Sequence, residues 1–245
     1  MRASAIMSTV GQWLCVFAVA EEARPFLRAT RGRSGPRVEI TGIGPRKARE
    51  AILGLLDKSR PALVLSCGFA GGLDPGLRRG TVLSSVDDGF PLESALIKAG
   101  AIHGRFVCSD RIVVTAAEKA ALWQRTGADA VEMESGVIRD ICRERGVPSA
   151  TVRVISDAAD EDLPLDFNRL SGPNSELSYA RLAAELVRHP GKALELLRFR
   201  RALRQAACCL ARLLVMAMGA DPRIACVKNT SPTGPPGPIG EDQPM

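Results

Sequence analysis

The chain has 245 residues, enough for one or two domains, and its 33 basic against 27 acidic side chains leave it at +6. Such an excess suggests a nucleic-acid partner, but seven Phe, two Trp and one Tyr are too few for the stacking platforms of single-strand binders. A composition 46% hydrophobic and 24% charged excludes disorder throughout, and with only His103 and His189 a multi-His metal site is out of reach.

In chain order, the first apolar run, Trp13–Ala20 behind Arg2, imitates a signal peptide. It is short and Gln12 interrupts its approach, so it reads as a buried strand over Trp13–Val19. Further strands are expected at Arg37–Thr41, Ala62–Cys67, Thr81–Val86, Arg105–Cys108, Ala128–Val131 and Ala150–Ile155. Helices are expected between them at Pro45–Lys58, Ala116–Arg125 and Glu134–Arg145. This alternation predicts a three-layer α/β/α fold with a mixed, largely parallel and buried sheet. The pattern then becomes purely helical, over Tyr179–Arg188 and Lys192–Met218. The expected organisation is an α/β domain over 1–178, a basic amphipathic helical extension packed on it over 179–220, and a flexible Pro/Gly-rich tail over 221–245.

Seven cysteines without a Cys-x-x-Cys pair read as reduced thiols serving as small core hydrophobes, not as disulfides or zinc ligands. No stretch of about 20 uninterrupted apolar residues occurs, so no membrane span is expected. The expected location is cytoplasmic.

Four short motifs could carry chemistry. Gly68-Phe-Ala-Gly-Gly72 follows directly on a strand and is either a backbone cradle for a ligand or a tight turn. Glu132-Met-Glu134-Ser135 lies where a strand passes into a helix. Glu132 there suits the positive helix terminus, whereas Met133 and Glu134 could give a sugar its apolar wall and its acceptor for hydroxyls. Arg153-Val-Ile-Ser156-Asp157 ends another strand, where a carboxylate meets a ligand or serves as an N-cap. Glu21-Glu22 closes the first strand. In a parallel α/β fold these ends open on one face. Carboxylates around an apolar-walled pocket then suggest cleavage of a glycosidic bond through a cationic sugar.

In this order the motifs resemble the nucleoside phosphorylase/nucleosidase superfamily, in particular its methylthioadenosine/S-adenosylhomocysteine nucleosidase branch. The resemblance runs from Ala18-Val-Ala-Glu-Glu22 through Thr41-Gly-Ile-Gly44, Gly68-Phe-Ala-Gly-Gly-Leu73 and Val131-Glu-Met-Glu134 to Val152-Arg-Val-Ile-Ser-Asp157. Gly71-Gly-Leu-Asp-Pro75 and the Arg/Leu-rich end with His189-Pro-Gly-Lys192 are closest to the hopanoid-associated nucleoside phosphorylases, which act on adenosylhopane.

The resemblance implies release of adenine from an adenosine-type nucleoside with a bulky apolar 5′ group, with no metal and no cofactor. Asp157 would protonate the base and Glu22 would activate water. Glu134 would hold the ribose hydroxyls, with Met133 against the sugar. Phe69, Gly71, Ile112 and Ser156 would line the substrate site, Ile112 through its backbone, and Arg153 would organise the carboxylates. A homodimer or higher homo-oligomer is also implied. Phe69 replaces a serine of the small-substrate nucleosidases, and Arg111 stands where they place an aromatic residue against adenine. The arginine-based phosphate signature of phosphorylases is not evident, which points to water as nucleophile, with phosphate as the alternative co-substrate through Arg46 and Ser66. Methylthioadenosine/S-adenosylhomocysteine or futalosine hydrolysis is the same-class alternative. The different-class alternative is a basic module binding nucleic acid or lipid.

The segment Arg181–Arg212 holds eight basic and two acidic side chains, which is the whole excess of charge. Leu196, Phe199, Leu203, Ala206, Leu210 and Leu213 recur at steps of three and four, predicting an amphipathic helix. Its arginines could contact an anionic membrane at the inner face. The charge is therefore local to one helical end and is no nucleic-acid signature of the catalytic region.

Overall fold

A computed structural model describes residues 13–32, 35–170, 188 and 191–219. The expected helix at Tyr179–Arg188 and the Pro/Gly-rich tail lie outside the described residues, Arg188 apart.

The elements follow as β1 (Trp13–Phe17), α1 (Ala20–Ala29), β2 (Arg37–Ile40), α2 (Pro45–Lys58), β3 (Leu63–Gly72), β4 (Val82–Val86), α3 (Glu93–Lys98) and β5 (Ile102–His103). Then come β6 (Phe106–Cys108), α4 (Ala116–Thr126), β7 (Ala130–Glu132), α5 (Ser135–Glu144), β8 (Ser149–Asp157), α6 (Phe167–Leu170) and α7 (Lys192–Ala217). The main sheet path is β2-β1-β3-β8-β4-β5, with β7 paired to the end of β3 and β6 to β7. Pairing is parallel except between β4 and β8 and between β3 and β7.

Strand alternation builds the three layers. Trp13, Cys15 and Phe17 point to one face, where they join Leu65, Val152 and Val154 and meet Phe26 of α1 and Leu210 and Leu214 of α7. Leu14 and Val16 point to the other face, against Ile52 of α2 and Ile138 and Ile141 of α5. The α/β/α architecture is as expected. The C-terminal half of α7 belongs to the main core and does not lie outside it.

Local chemistry explains the element ends. Pro45 opens α2 at the first turn, where its missing N–H costs nothing, behind Gly44 at φ 91°. Thr115 and Glu118 form a reciprocal capping box at α4, and Gly127 closes that helix in the left-handed conformation.

Three expectations are corrected. β1 ends at Phe17, and Ala20 already begins a helix with Pro25 inside it. β3 runs on through Gly72, so the glycine motif is strand and not a turn after it. Cys15, Cys67 and Cys142 are buried as expected, but Cys108 and Cys209 are exposed.

Candidate active site

The carboxyl ends of β1, β3 and β8 gather the acidic residues, as the parallel layout requires. Glu22 sits in the first turn of α1 and is buried. Its Oε2 accepts the N–H groups of Ala18 and Val19 at 3.0 and 3.1 Å, and its Oε1 accepts that of Phe69 at 2.8 Å. Burial pushes its carboxyl up to about 7, against the opposing pull of Arg153. That is the range a general base needs near neutral pH.

Arg153, 1% exposed in the middle of β8, is the hub. Its Nη2 lies 2.6 Å from Glu132 Oε2 and 3.4 Å from Glu134 Oε2, and its Nη1 donates to the Cys67 carbonyl at 3.0 Å. Burial alone would favour neutral arginine, but Glu132, Glu134 and Glu22 outweigh it and raise its proton affinity further. Gly68 is what lets this cluster close. A Cβ there would overlap the Arg153 guanidinium and lie 2.8 Å from Glu22 Oε1.

Glu134 occupies the N-cap position of α5, and its Oε1 accepts the Gly44 N–H at 2.9 Å. Burial first, then the neighbouring Glu132, raises its pKa above the ordinary carboxylate value despite Arg153. Glu132 accepts the N–H groups of Glu134 and Ser135 at 3.0 and 2.8 Å, the helix-terminus role expected of it. It also accepts from Cys108 Sγ at 2.7 Å and is the closest carboxylate to Arg153. Burial works to raise its pKa, but Arg153 and these donors win and hold it low.

Asp157 ends β8 beside a bulge. Ala70 pairs with Ile155 and Gly71 with Asp157, so Ser156 has no cross-strand partner on β3. Ser156 Oγ lies 2.6 Å from Asp157 Oδ1. A Cβ on Gly71 would stand 3.2 Å from Asp157 Oδ2. Lys119 Nζ reaches the same oxygen at 2.5 Å.

The expected residues thus fall into two groups along β3. Glu22, Phe69, Glu134 and Arg153 surround Gly68, while Ser156 and Asp157 face Gly71, about 10 Å further along the strand. Met133 is half-buried, with its Cε 3.9 Å from where a Gly44 Cβ would be. Ile112 is held through its backbone by Asn168. Asn168 donates to its carbonyl at 2.8 Å and accepts its N–H at 2.9 Å, so both backbone groups are engaged. Arg111 is exposed and pairs with Glu118 at 2.6 Å. Arg46 pairs on the surface with Glu50, and Ser66 faces Arg153 Nη2 at 3.3 Å.

Sequence reasoning missed Lys119 and Asn168, gave Gly44 no role beyond its place in the resemblance, and gave Glu132 only its helix role. Among the described residues no group of three or more His, Cys, Asp or Glu is arranged to hold a metal.

Residues 92–188 match the family model of the Phosphorylase superfamily. Among solved structures, the native futalosine hydrolase of Helicobacter pylori superposes with a TM-score of 0.62 at 18% identity, covering 84% of this chain and 97% of that one. The 5′-methylthioadenosine/S-adenosylhomocysteine nucleosidase of the same organism, in complex with butyl-thio-DADMe-Immucillin-A, gives 0.62 at 19% identity, with 84% and 97% covered. The corresponding Colwellia psychrerythraea nucleosidase, in complex with adenine, gives 0.60 at 19%, with 84% and 94% covered. These likenesses establish the fold, the mixed-sheet α/β/α architecture of the nucleoside phosphorylases and nucleosidases.

Proposed function

We propose that the chain is a nucleosidase that cleaves the N-glycosidic bond of an adenosine-type nucleoside carrying a bulky apolar 5′ group, adenosylhopane being the substrate that the sequence resemblance suggests. The observation that carries this reading is the buried Glu22–Arg153–Glu134 cluster set along one strand from Asp157. An oxocarbenium-like sugar needs negative charge beside it, a base for the attacking water and an acid for the departing purine.

In this reading Glu22 takes a proton from water as the water oxygen bonds to the anomeric carbon. Asp157 gives a proton to the base, which leaves with the electron pair of the broken C–N bond. Glu134 accepts the ribose hydroxyls, and Arg153 favours the ionised form of the crowded carboxylates against their burial. Met133 and Phe69 supply apolar surface for the sugar and its 5′ group, Gly71 lets the substrate approach β3, and Ser156 orients Asp157. Ile112 presents its backbone to the base once the Asn168 carboxamide is displaced. Arg153 is committed to carboxylates, which supports water over phosphate as nucleophile. The nucleosidases and the futalosine hydrolase with this fold support the same reaction class.

The test is release of free purine base from adenosylhopane, 5′-methylthioadenosine and futalosine, each with and without phosphate. Preference for adenosylhopane is the expected result. Release from the other two alone would support the smaller-substrate hydrolase, and release from none would refute the reading. The homo-oligomer implied by the resemblance is tested by light scattering.

We also propose peripheral contact with an anionic membrane. Leu194 and Leu197 of α7 are 55% and 62% exposed, and Arg198, Arg201, Arg204 and Arg212 are exposed on the same side at helical spacing. Each basic group near such a surface adds about 1 kcal/mol. No described helix is long and apolar enough to cross a membrane. Co-sedimentation with phosphatidylserine vesicles but not phosphatidylcholine ones is expected. Salt-sensitive DNA binding without vesicle binding would overturn it.

A further inference from the structure

Lys119 is the one lysine buried among the described residues, at 0% exposure. It lies in the first turn and a half of α4, on a helix whose other face is in solvent. Its ammonium has three donors and three acceptors: Asp157 Oδ2 at 2.5 Å, the Ala158 carbonyl at 2.8 Å and the Glu161 carbonyl at 2.7 Å. Burying a full charge is costly unless it is paired and saturated with hydrogen bonds. A methionine could fill similar space without that cost, so the charge calls for an explanation.

The surroundings narrow the explanation. The Ala158–Glu161 turn already has closing bonds of its own, from Ala158 N–H to Glu161 Oε2 at 2.6 Å and from Glu161 N–H to the Ala158 carbonyl at 3.2 Å. Arg79 ties the same Glu161 carboxylate from outside at 2.5 Å. What only Lys119 supplies is a positive charge on the inner oxygen of Asp157. Ser156 holds the other oxygen, so the carboxyl group is fixed at both ends. Lys119 Cε also stands 3.9 Å from where a Gly71 Cβ would be, the same Cβ that would stand 3.2 Å from Asp157 Oδ2, so Lys119 and Asp157 share one side of β3 at Gly71.

We propose that Lys119 is a positioning residue for Asp157. Its ammonium orients the carboxyl group and stabilises the carboxylate left behind when the proton moves to the departing base. This rests on the reading of Asp157 as the acid. In the step, the Asp157 proton goes to a nitrogen of the base, and the electrons of the C–N bond stay with the base. Water bonds to the anomeric carbon and loses its proton to Glu22. Asp157 ends as the carboxylate paired with Lys119, the geometry seen here, and Lys119 keeps its charge throughout. The proton returns from Glu22 to Asp157 through solvent before the next cycle. A charge fixed where negative charge develops acts on the transition state more than on the bound substrate.

The test compares two leaving groups. The purine departing from whichever of adenosylhopane, 5′-methylthioadenosine and futalosine the wild-type chain cleaves best needs a proton, whereas p-nitrophenolate departing from p-nitrophenyl β-D-riboside does not. The wild-type chain, Lys119→Met, Lys119→Gln and Asp157→Asn are assayed on both. Lys119→Gln can still donate to a carbonyl but carries no charge. We expect either Lys119 variant to lower the nucleoside-to-nitrophenyl ratio of kcat by about 100-fold, at the lower end of the usual worth of general acid catalysis, with KM for the nucleoside changed less than about threefold. Asp157→Asn should lower the ratio at least as much.

Equal loss on both substrates in folded Lys119 variants, or no loss, overturns the proposal. Failure of both variants to fold also overturns it, by assigning Lys119 to the scaffold alone. Equal loss on both substrates in Asp157→Asn instead overturns Asp157 as the acid, and a wild-type chain that releases base from none of adenosylhopane, 5′-methylthioadenosine and futalosine overturns the proposed function itself.

Discussion

Replacing Glu22 by Gln tests whether its burial perturbs it as the geometry demands. An ordinary glutamate releases its proton near 4.5, and burial holds this one until about 7. A carboxyl shifted that far binds its proton more tightly in the folded chain by about 3 kcal/mol. Between these two values the folded chain keeps a proton that the unfolded chain has already released, so stability falls as pH rises from 4.5 to 7 and levels off above. Glutamine carries no such penalty. Urea unfolding at pH 5, 6, 7 and 8, followed by circular dichroism, should show Glu22→Gln gaining about 2–3 kcal/mol on the wild type across that range. Activity should move the opposite way. The general base must be ionised, so wild-type kcat/KM should rise with pH and level off near 7, falling about tenfold per unit well below it. A stability difference independent of pH, together with a flat rate profile from pH 5 to 8, would refute both the perturbation and the role.

Four further substitutions probe the packing, three of them around the site and Gly54→Ala as their comparison. Arg153→Met leaves Glu132 and Glu134 buried without their cation, and should cost about 3–5 kcal/mol in urea unfolding. Loss under 1 kcal/mol would mean the cluster relaxes into water. Gly68→Ala should destabilise by about 1–3 kcal/mol through overlap with Arg153 and Glu22, whereas Gly54→Ala, with open space around its Cβ in mid-α2, should stabilise by about 1 kcal/mol. Thermal melts of the two compare them directly, and a similar shift in both would show that the site is not tightly packed. Asn168→Ala frees the Ile112 N–H and carbonyl, whose two hydrogen bonds are worth about 1–3 kcal/mol together. Nucleoside KM should then fall about 5- to 150-fold, and an unchanged KM in steady-state assays would exclude Ile112 from base binding.

Much of the architecture was legible because it is local. The apolar runs around Val64 and Val152 are long enough to be buried strands. Pro45 and the Gly146 break marked helix ends within a residue of where they occur. The missed elements had contradictory local signals. Pro25 reads as a breaker, yet it sits in α1 because Phe26 and Ala23 pack into the core, a gain that outweighs one lost hydrogen bond. The glycine motif reads as a ligand cradle or a turn just past its strand, yet it continues β3 because β8 and β7 pair with it across the fold.

The order of the motifs brought Glu22, Glu134 and Asp157 to one face, since strand ends of a parallel sheet converge whatever the loops do, and the family resemblance added Arg153. Which carboxylate meets which cation was a tertiary decision. Glu132 looked like a helix-terminus acid and is also the closest partner of Arg153. Lys119 carried no signal in the sequence and is buried on Asp157. The two pairings span 21 and 38 residues of chain, and local patterning carries no information over that distance. The +6 charge, by contrast, was located by sequence alone, because a run of arginines along one helix stays on that helix in any fold. Only the packed structure determined which half of α7 is core and which half presents its leucines and arginines outward.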